Sequence, residues 1–214
     1  YDTDALEHFD PFIKKGIPLL FFDRVGTHDQ CASVVIDNVK AGYEATAHLL
    51  AGGRRRILHV TGNLKRNVYA DRLQGYRQAL HECGIAYDPA RVLVTDLGPE
   101  AGAEAARTLL DARPRPDGLF VANDFCAIHC MKALQGAGLR IPADVAVVGF
   151  NNDPVSRVVE PALTTIHYPG QEMGEIAAKT LINHLTGATS IHATHTITLR
   201  SELVVRPSSQ AAPL

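Results

Sequence analysis

Short apolar runs and a helical pattern of apolar positions alternate most clearly in residues 117–153, DGLFVANDFCAIHCMKALQGAGLRIPADVAVVGFNND. The runs LFVA and VAVVGF contain no polar residue, which is typical of strands that are buried on both faces. Between them, apolar residues recur every three or four positions across residues 126–137, which predicts an amphipathic helix. Asp124 stands where it can cap that helix, and Gly136 and Gly138 favour its end. Strand, helix and strand in this order predict a βαβ unit with parallel strands and a right-handed crossover.

The same two patterns predict the remaining elements and place the chain in the α/β fold class. The tail, residues 195–206, alternates apolar and polar residues, and this period of two predicts a pair of antiparallel strands. The predicted helices cover residues 5–13, 41–50, 73–83, 99–110 and 173–185, with a short helical turn after Pro154. The predicted strands outside the βαβ unit and the tail cover residues 19–22, 33–37, 57–61, 92–95 and 164–168.

Composition places the chain among globular proteins. Apolar residues make up 46% of the 214 residues, which suffices for one or two domains with a core, and no apolar run approaches a membrane span. The net charge is −2, so the chain lacks the basic balance of a domain that grips DNA by itself. Its four cysteines indicate no disulfide framework and no secretory leader opens the sequence, so we expect a cytoplasmic protein.

Polar residues follow both strands of the βαβ unit. Asn123 and Asp124 come directly after the first strand, and residues 151–153, Asn-Asn-Asp, come directly after the second. In open α/β sheets, ligands bind beyond the carboxyl ends of the strands. The sequence therefore predicts a ligand-binding edge at this end of the sheet.

These residues, together with other segments, carry a family resemblance. The segments IPLLFFDRV, VVIDNVKAGYEATAHLLAGGRRRI, GNLKRNVYADRLQGYRQAL, EPALTTI and ELVVRPS accompany residues 117–153 in a specific order and spacing. From about Ile17 to Pro207, the chain thereby resembles the ligand-sensing domain of the LacI/GalR family of bacterial transcription regulators. The resemblance implies two Rossmann-like lobes with parallel sheets, the type I periplasmic-binding-protein-like fold, with the ligand between the lobes.

The resemblance also implies that the first lobe is incomplete. Family members carry a helix-turn-helix domain and roughly two and a half βα units before the helix predicted at residues 5–13. We expect residues 1–56 and 168–190 to form a partial N-terminal lobe, and residues 57–165 and 191–208 to form the C-terminal lobe. The helix-turn-helix DNA-binding domain is expected to be absent from this chain.

Arg72, in the segment DRLQGY, matches the position where the family uses arginine to hold ligand hydroxyl groups. A guanidinium presents a fixed fork of donors, which suits neighbouring oxygen atoms. The alternative is a solvated arginine in the first turn of a helix, paired with Asp71. Because the helix dipole disfavours arginine near a helix start, the functional interpretation is preferred.

Asn123 and Asn151 match two further ligand positions of the family. The family usually has aspartate where Asn151 stands, whereas an amide donates and accepts hydrogen bonds without carrying a charge. With Arg66 and Arg72 beside a site that lacks this carboxylate, the site would tolerate an anionic effector better. The alternative for both asparagines is that they cap loops, a position that turns favour in any case.

The resemblance assigns the other ligand contacts by position. Asp23 follows a strand of the first lobe and Tyr168 lies on a crossover strand; the alternative for both is a contact between the lobes. Val68 and Leu97 match positions that pack on the apolar face of the ligand. With Arg66, they complete the expected ligand-binding set.

Motifs for catalysis and metal binding are weak or missing. Cys126 and Cys130 lie one helical turn apart, but a structural zinc site needs a second ligand pair, and small cysteines on a core face are ordinary. The hydrolase and phosphate-loop motifs GxSxG, HExxH and GxxxxGK[ST] do not occur. We expect no metal, no cofactor and no enzymatic activity.

The resemblance implies the effector-binding domain of a transcription regulator. The expected partners are a small-molecule effector (a sugar, a sugar derivative or a purine), a second copy of the chain in a homodimer, and operator DNA through the domain missing here, with no membrane. The alternative is a secreted sugar-binding protein of a transport system, which shares the fold. A secretory leader or a helix-turn-helix encoded upstream would distinguish the two.

Overall fold

The computed structural model describes residues 7–24, 31–193 and 196–210. The chain divides into two compact units. The first unit takes its described residues from 1–37 and 169–200, and the second takes them from 38–168 and 201–214. Residues 5 and 6 of the first predicted helix and residue 195 of the tail lie outside the described residues.

Helices and strands alternate along the described chain as the apolar pattern predicts. The strands are β1 (Leu20–Phe22), β2 (Ala32–Ile36), β3 (Ile57–Thr61), β4 (Val92–Val94), β5 (Gly118–Val121), β6 (Ala146–Asn151), β7 (Thr164–His167), β8 (Thr196–Leu199) and β9 (Leu203–Val204). The helices are α1 (Asp10–Lys14), α2 (Asn38–Ala51), α3 (Asn67–Glu82), α4 (Pro99–Asp111), α5 (Asp124–Gly136), α6 (Val155–Val158) and α7 (Gly170–Leu185). Within the three described ranges, no helix is long and apolar enough to cross a membrane.

The first unit contains a three-stranded parallel sheet in the order β1-β2-β8. Leu20 of β1 lies opposite Ala32 of β2, and Ser33 of β2 lies opposite Thr196 of β8. Every second residue of β2 is buried, which is the burial pattern that a period of two predicts. Helix α7 packs against β1 and β2.

The second unit contains a six-stranded sheet in the order β4-β3-β5-β6-β7-β9. Its first five strands are parallel, and β9 runs antiparallel to β7 at the edge. All residues of β3 and β5 are buried, because helices cover both faces of the sheet. Leu58 of β3 joins an apolar core with residues of α4 and α5, whereas His59, on the opposite face, stacks on Tyr76 of α3 at 5.2 Å.

Helix α2 belongs to the second unit, so the expected boundary at residue 56 is wrong. The cause is the close packing of α2 on α3. A Cβ atom on Gly42 would overlap the backbone of Arg72, and one on Gly75 would overlap the carbonyl oxygen of Val39. Two glycines therefore permit a contact that ties α2 to the second unit.

The tail does not form the antiparallel pair that its period of two predicts. Strand β8 runs parallel to β2 in the first unit, whereas β9 runs antiparallel to β7 in the second unit. The described residues within 191–200 therefore belong to the first unit instead of the C-terminal lobe. A period of two indicates an extended segment but does not identify the strand with which it pairs.

Candidate functional site

The carboxyl edge of the second unit's sheet gathers the polar residues that the sequence singles out. Because β3 to β7 are parallel, their carboxyl ends meet at one edge. Asn123 follows β5 and Asn151 ends the adjacent strand β6. Helix α3 follows β3 and carries Arg72 to the same edge, where its side chain meets the residue after β5.

Arg72 is buried, with only 4% of its surface exposed. Its Nε donates a hydrogen bond to Oδ1 of Asn38 at 2.9 Å, and its Nη1 donates to the carbonyl oxygen of Ala122 at 3.1 Å. The guanidinium carbon lies 3.5 Å from the centre of the Phe150 ring, which is a cation–π contact. The solvated alternative is therefore wrong, and the guanidinium is oriented by contacts with α2, β5 and β6.

Asn38, which orients this arginine, was missed by the sequence reasoning. It is the first residue of α2 and is 4% exposed. Its partner lies 34 positions away in sequence, so no local spacing connects the two residues. A signal did exist, because Asn38 follows a predicted strand closely, as Asn123 and Asn151 do.

Asn123 caps helix α5, whereas its alternative interpretation was a loop cap. Its Oδ1 accepts a hydrogen bond from the backbone N–H of Cys126 at 3.0 Å. The expectation that Asp124 caps this helix is wrong, since Asp124 is already the first helical residue. The capping contact uses only the side-chain oxygen of Asn123, and a ligand contact by its amide group stays a prediction.

Asp124 is a second residue whose role the sequence reasoning missed. Its carboxylate is fully buried. Oδ1 accepts from the hydroxyl of Thr165 at 2.6 Å, and Oδ2 accepts from the backbone N–H of Asp153 at 2.8 Å. Burial raises the pKa of Asp124 to about 6, although these hydrogen bonds favour the charged form and oppose the shift.

Residues 151–153 form a loop with an unusual backbone. The φ angles are 120° at Asn151 and 59° at Asn152, and residues other than glycine rarely adopt positive φ angles. The Nδ2 of Asn151 donates to Oδ2 of Asp153 at 3.3 Å, and the backbone N–H of Asn152 donates to Oγ1 of Thr165 at 3.2 Å. The side chain of Asn151 thus contacts this loop, and its ligand contact stays a prediction.

The side chain of Asn152 links this loop to β7 and to the tail. Its Oδ1 accepts from Nη2 of Arg206 at 2.6 Å, and its Nδ2 lies 3.2 Å from Nδ1 of His167. Nη1 of Arg206 also donates to the carbonyl oxygen of Leu163 at 2.7 Å. The tail therefore helps to hold the loop that follows β6.

Four other predicted ligand residues of the second unit lie at different depths. Val68 and Leu97 are buried, and Leu97 is part of the apolar core formed with α4 and α5. Arg66 is half-buried directly before α3, and Tyr168 is half-buried and donates its backbone N–H to the carbonyl oxygen of Asn151 at 3.3 Å. Their ligand contacts stay predictions.

Asp23 lies in the first unit, directly after β1. Its φ angle is 65°, and its backbone N–H donates to the carbonyl oxygen of Val34 at 3.1 Å. One carboxylate oxygen lies 3.9 Å from Nε of Arg24. A ligand contact by Asp23 stays a prediction as well.

The cysteines of α5 are core residues. Cys126 and Cys130 are both fully buried in the apolar cluster. Burial raises the pKa of the Cys126 thiol to about 12 and also raises the pKa of the Cys130 thiol, which disfavours the thiolates that metals need. Among the described residues, no group of three or more His, Cys, Asp or Glu side chains is placed to hold a metal ion.

Comparison with known proteins identifies the family. Residues 46–209 match the family of periplasmic binding protein-like domains. The regulator CelR of Thermobifida fusca is 35% identical over 90% of this chain, and the ribose operon repressor of Haemophilus influenzae is 33% identical over 90%. This chain spans 57% and 58% of the lengths of these two relatives.

A solved structure supports the same assignment. The complex of the regulator CelR with cellobiose superposes with a TM-score of 0.84 and 35% identity, covering 92% of this chain and 60% of that one. Both the fold class and the relatives agree with the resemblance inferred from the sequence. The chain therefore belongs to the family of periplasmic binding protein-like domains, in the LacI/GalR group of transcription regulators.

Proposed function

We propose that this chain is the effector-binding domain of a LacI/GalR-type transcription regulator, and that its effector binds at the carboxyl edge of the second unit's sheet. The observation that supports this site best is the buried guanidinium of Arg72, which Asn38, Ala122 and Phe150 orient at that edge. A donor that is already oriented loses little conformational freedom when it binds a ligand. The relatives reported above are regulators, which favours this function over transport or catalysis.

The effector we propose is a sugar or a sugar derivative, and a purine is the next class to test. CelR has been solved with cellobiose, and that structure is similar to this chain over 92% of this chain's residues. A guanidinium fork suits vicinal hydroxyl groups and suits a phosphate or carboxylate equally well. The uncharged Asn151 favours an anionic derivative over a plain sugar, because no carboxylate at this position repels it.

The regulatory mechanism we propose is linkage between effector and DNA binding. An effector changes operator affinity only by its differential affinity for two states of the protein. Operator DNA would be bound through a helix-turn-helix domain, in a homodimer and in the cytoplasm. These parts of the proposal rest on the regulator family, because the chain covers only part of each relative's length.

Titration calorimetry of the chain against cellobiose, ribose, glucose 6-phosphate and hypoxanthine tests the effector class. We expect one sugar or sugar derivative to bind, and Arg72→Lys to weaken that binding at least tenfold, because lysine keeps the charge but loses the fork. Arg140→Lys is the matched control, since Arg140 is exposed and pairs with Asp144 at 2.7 Å.

Circular dichroism must show that Arg72→Lys stays folded, because Arg72 also stabilises the packing of α2. A folded Arg72→Lys variant that binds as tightly as the wild type would exclude this site. If no compound of the panel binds the wild type, the proposed effector class is wrong.

A further inference from the structure

We propose that the Asp124 carboxylate is a positioning residue of the effector site, which holds the loop of residues 151–153, and with it Asn151, in the shape that binds ligand. This inference rests on the proposed function. Asp124 itself is fully buried, so it acts through the loop and does not touch the effector.

One carboxylate controls the backbone of both residues that follow Asn151. Its Oδ2 accepts directly from the backbone N–H of Asp153. Its Oδ1 accepts from the Thr165 hydroxyl, and the oxygen of that hydroxyl accepts in turn from the backbone N–H of Asn152. These contacts connect the start of α5, the loop after β6 and the strand β7.

The loop needs such support because its backbone is strained. Two consecutive residues other than glycine, Asn151 and Asn152, have positive φ angles, and such geometry persists only where the surroundings enforce it. Strand β6, which precedes the loop, also lies close to the Asp124 carboxylate. A Cβ atom on Gly149 would overlap Oδ1 of Asp124, so glycine at this position lets β6 approach the carboxylate.

The charge on Asp124 is part of the mechanism. With the proton on Oδ2, the Asp153 amide loses its acceptor; with the proton on Oδ1, the Thr165 hydroxyl must stop donating. The pKa of Asp124 is raised to about 6, mainly by burial, and the nearby Asp153 carboxylate contributes to this shift. Arg206 of the tail interacts with the Asp124 charge, and His167 of β7 reaches the loop through Asn152. The conformation of the loop of residues 151–153 should therefore change near pH 6.

The test compares the wild-type chain with Asp124→Asn by NMR between pH 5 and 8. We expect the amide signals of Asn152 and Asp153 in the wild type to shift with a midpoint near pH 6, and expect no such transition in the variant. Asp144→Asn is the matched control, because Asp144 accepts from its partner Arg140 at 2.7 Å and precedes the other end of β6. This control should keep the wild-type transition.

Calorimetry with cellobiose and ribose adds the functional measurement. We expect the wild type to lose about fourfold in affinity between pH 7.5 and pH 5.5, a difference of about 0.8 kcal/mol, because about a quarter of Asp124 keeps its charge at pH 5.5. Asp124→Asn should have the low affinity at both pH values. If Asp124→Asn fails to fold, Thr165→Val takes its place, since it removes the bridging hydroxyl and keeps the side-chain volume.

The possible outcomes separate the two proposals. A folded Asp124→Asn variant with wild-type affinity and wild-type loop signals would overturn the role of Asp124. If neither sugar binds the wild type, these plain sugars are not the effector, and the NMR comparison alone decides whether Asp124 holds the loop. A loop transition that persists in Asp124→Asn would assign the titration to another group and would also overturn the inference.

Discussion

Asp124→Asn is expected to change how the stability of the chain depends on pH. Burial raises the pKa of Asp124 from 3.8 to about 6 in the folded chain. Between these values the native state holds a proton that the unfolded state has released, so this group lowers stability as pH rises. The shift corresponds to roughly 3 kcal/mol of free energy of unfolding, lost between about pH 4 and pH 6.

A buried histidine opposes this change in the wild type. Burial is the main cause that lowers the pKa of His59 from 6.5 to about 4; the hydrogen bond with the carbonyl oxygen of Phe120 opposes this shift, and the nearby Arg72 contributes to it. Here the native state binds fewer protons than the unfolded state, so stability rises by roughly 3 kcal/mol as pH increases from about 4 to 6.5. The two contributions largely cancel in the wild type, and removing the Asp124 charge should reveal the contribution of His59.

Urea unfolding of the wild type and Asp124→Asn at pH 4.5, 5.5, 6.5 and 7.5, followed by circular dichroism, measures the difference. We expect the free energy of unfolding of the variant, relative to the wild type, to rise with pH across this range. Asp144→Asn should leave the difference nearly flat across this range, because Arg140 holds the pKa of that exposed carboxyl well below its usual range and its contribution to stability changes only at lower pH. A difference that stays flat or falls with pH for Asp124→Asn would refute the raised pKa of Asp124.

Three further predictions concern Gly149, Asn151 and the net charge of the chain. Gly149→Ala should lower the free energy of unfolding by roughly 1–3 kcal/mol, because its Cβ atom would overlap the Asp124 carboxylate; urea unfolding checks this, and an unchanged midpoint contradicts it. Asn151→Asp should lower the free energy of unfolding by about 1 kcal/mol at pH 7, because it places a second carboxylate beside Asp153. Added salt should restore part of this free energy. The chain alone, with its net charge of −2, should show no sequence-specific shift of operator DNA in a mobility assay.

The sequence by itself determined the order and type of most elements. Buried parallel strands appear as unbroken apolar runs and helices appear as period-3.6 patterns, so the βαβ unit of residues 117–153 was predicted close to its observed bounds. The strand ends also indicated which edge would carry Asn123 and Asn151. Both kinds of signal are local, since they depend on neighbours within a few positions along the chain.

Only the tertiary structure decided which distant groups meet. Asn38 contacts Arg72 across 34 positions, and Asp124 contacts Thr165 across 41, so no periodicity in the sequence reports either pair. The same holds for the tail, where β8 and β9 have similar alternation but pair with strands of different sheets. Burial holds the Arg72 guanidinium in place and raises the pKa of Asp124. The surroundings that bury these two side chains come from the packing of several elements, which the sequence alone does not show.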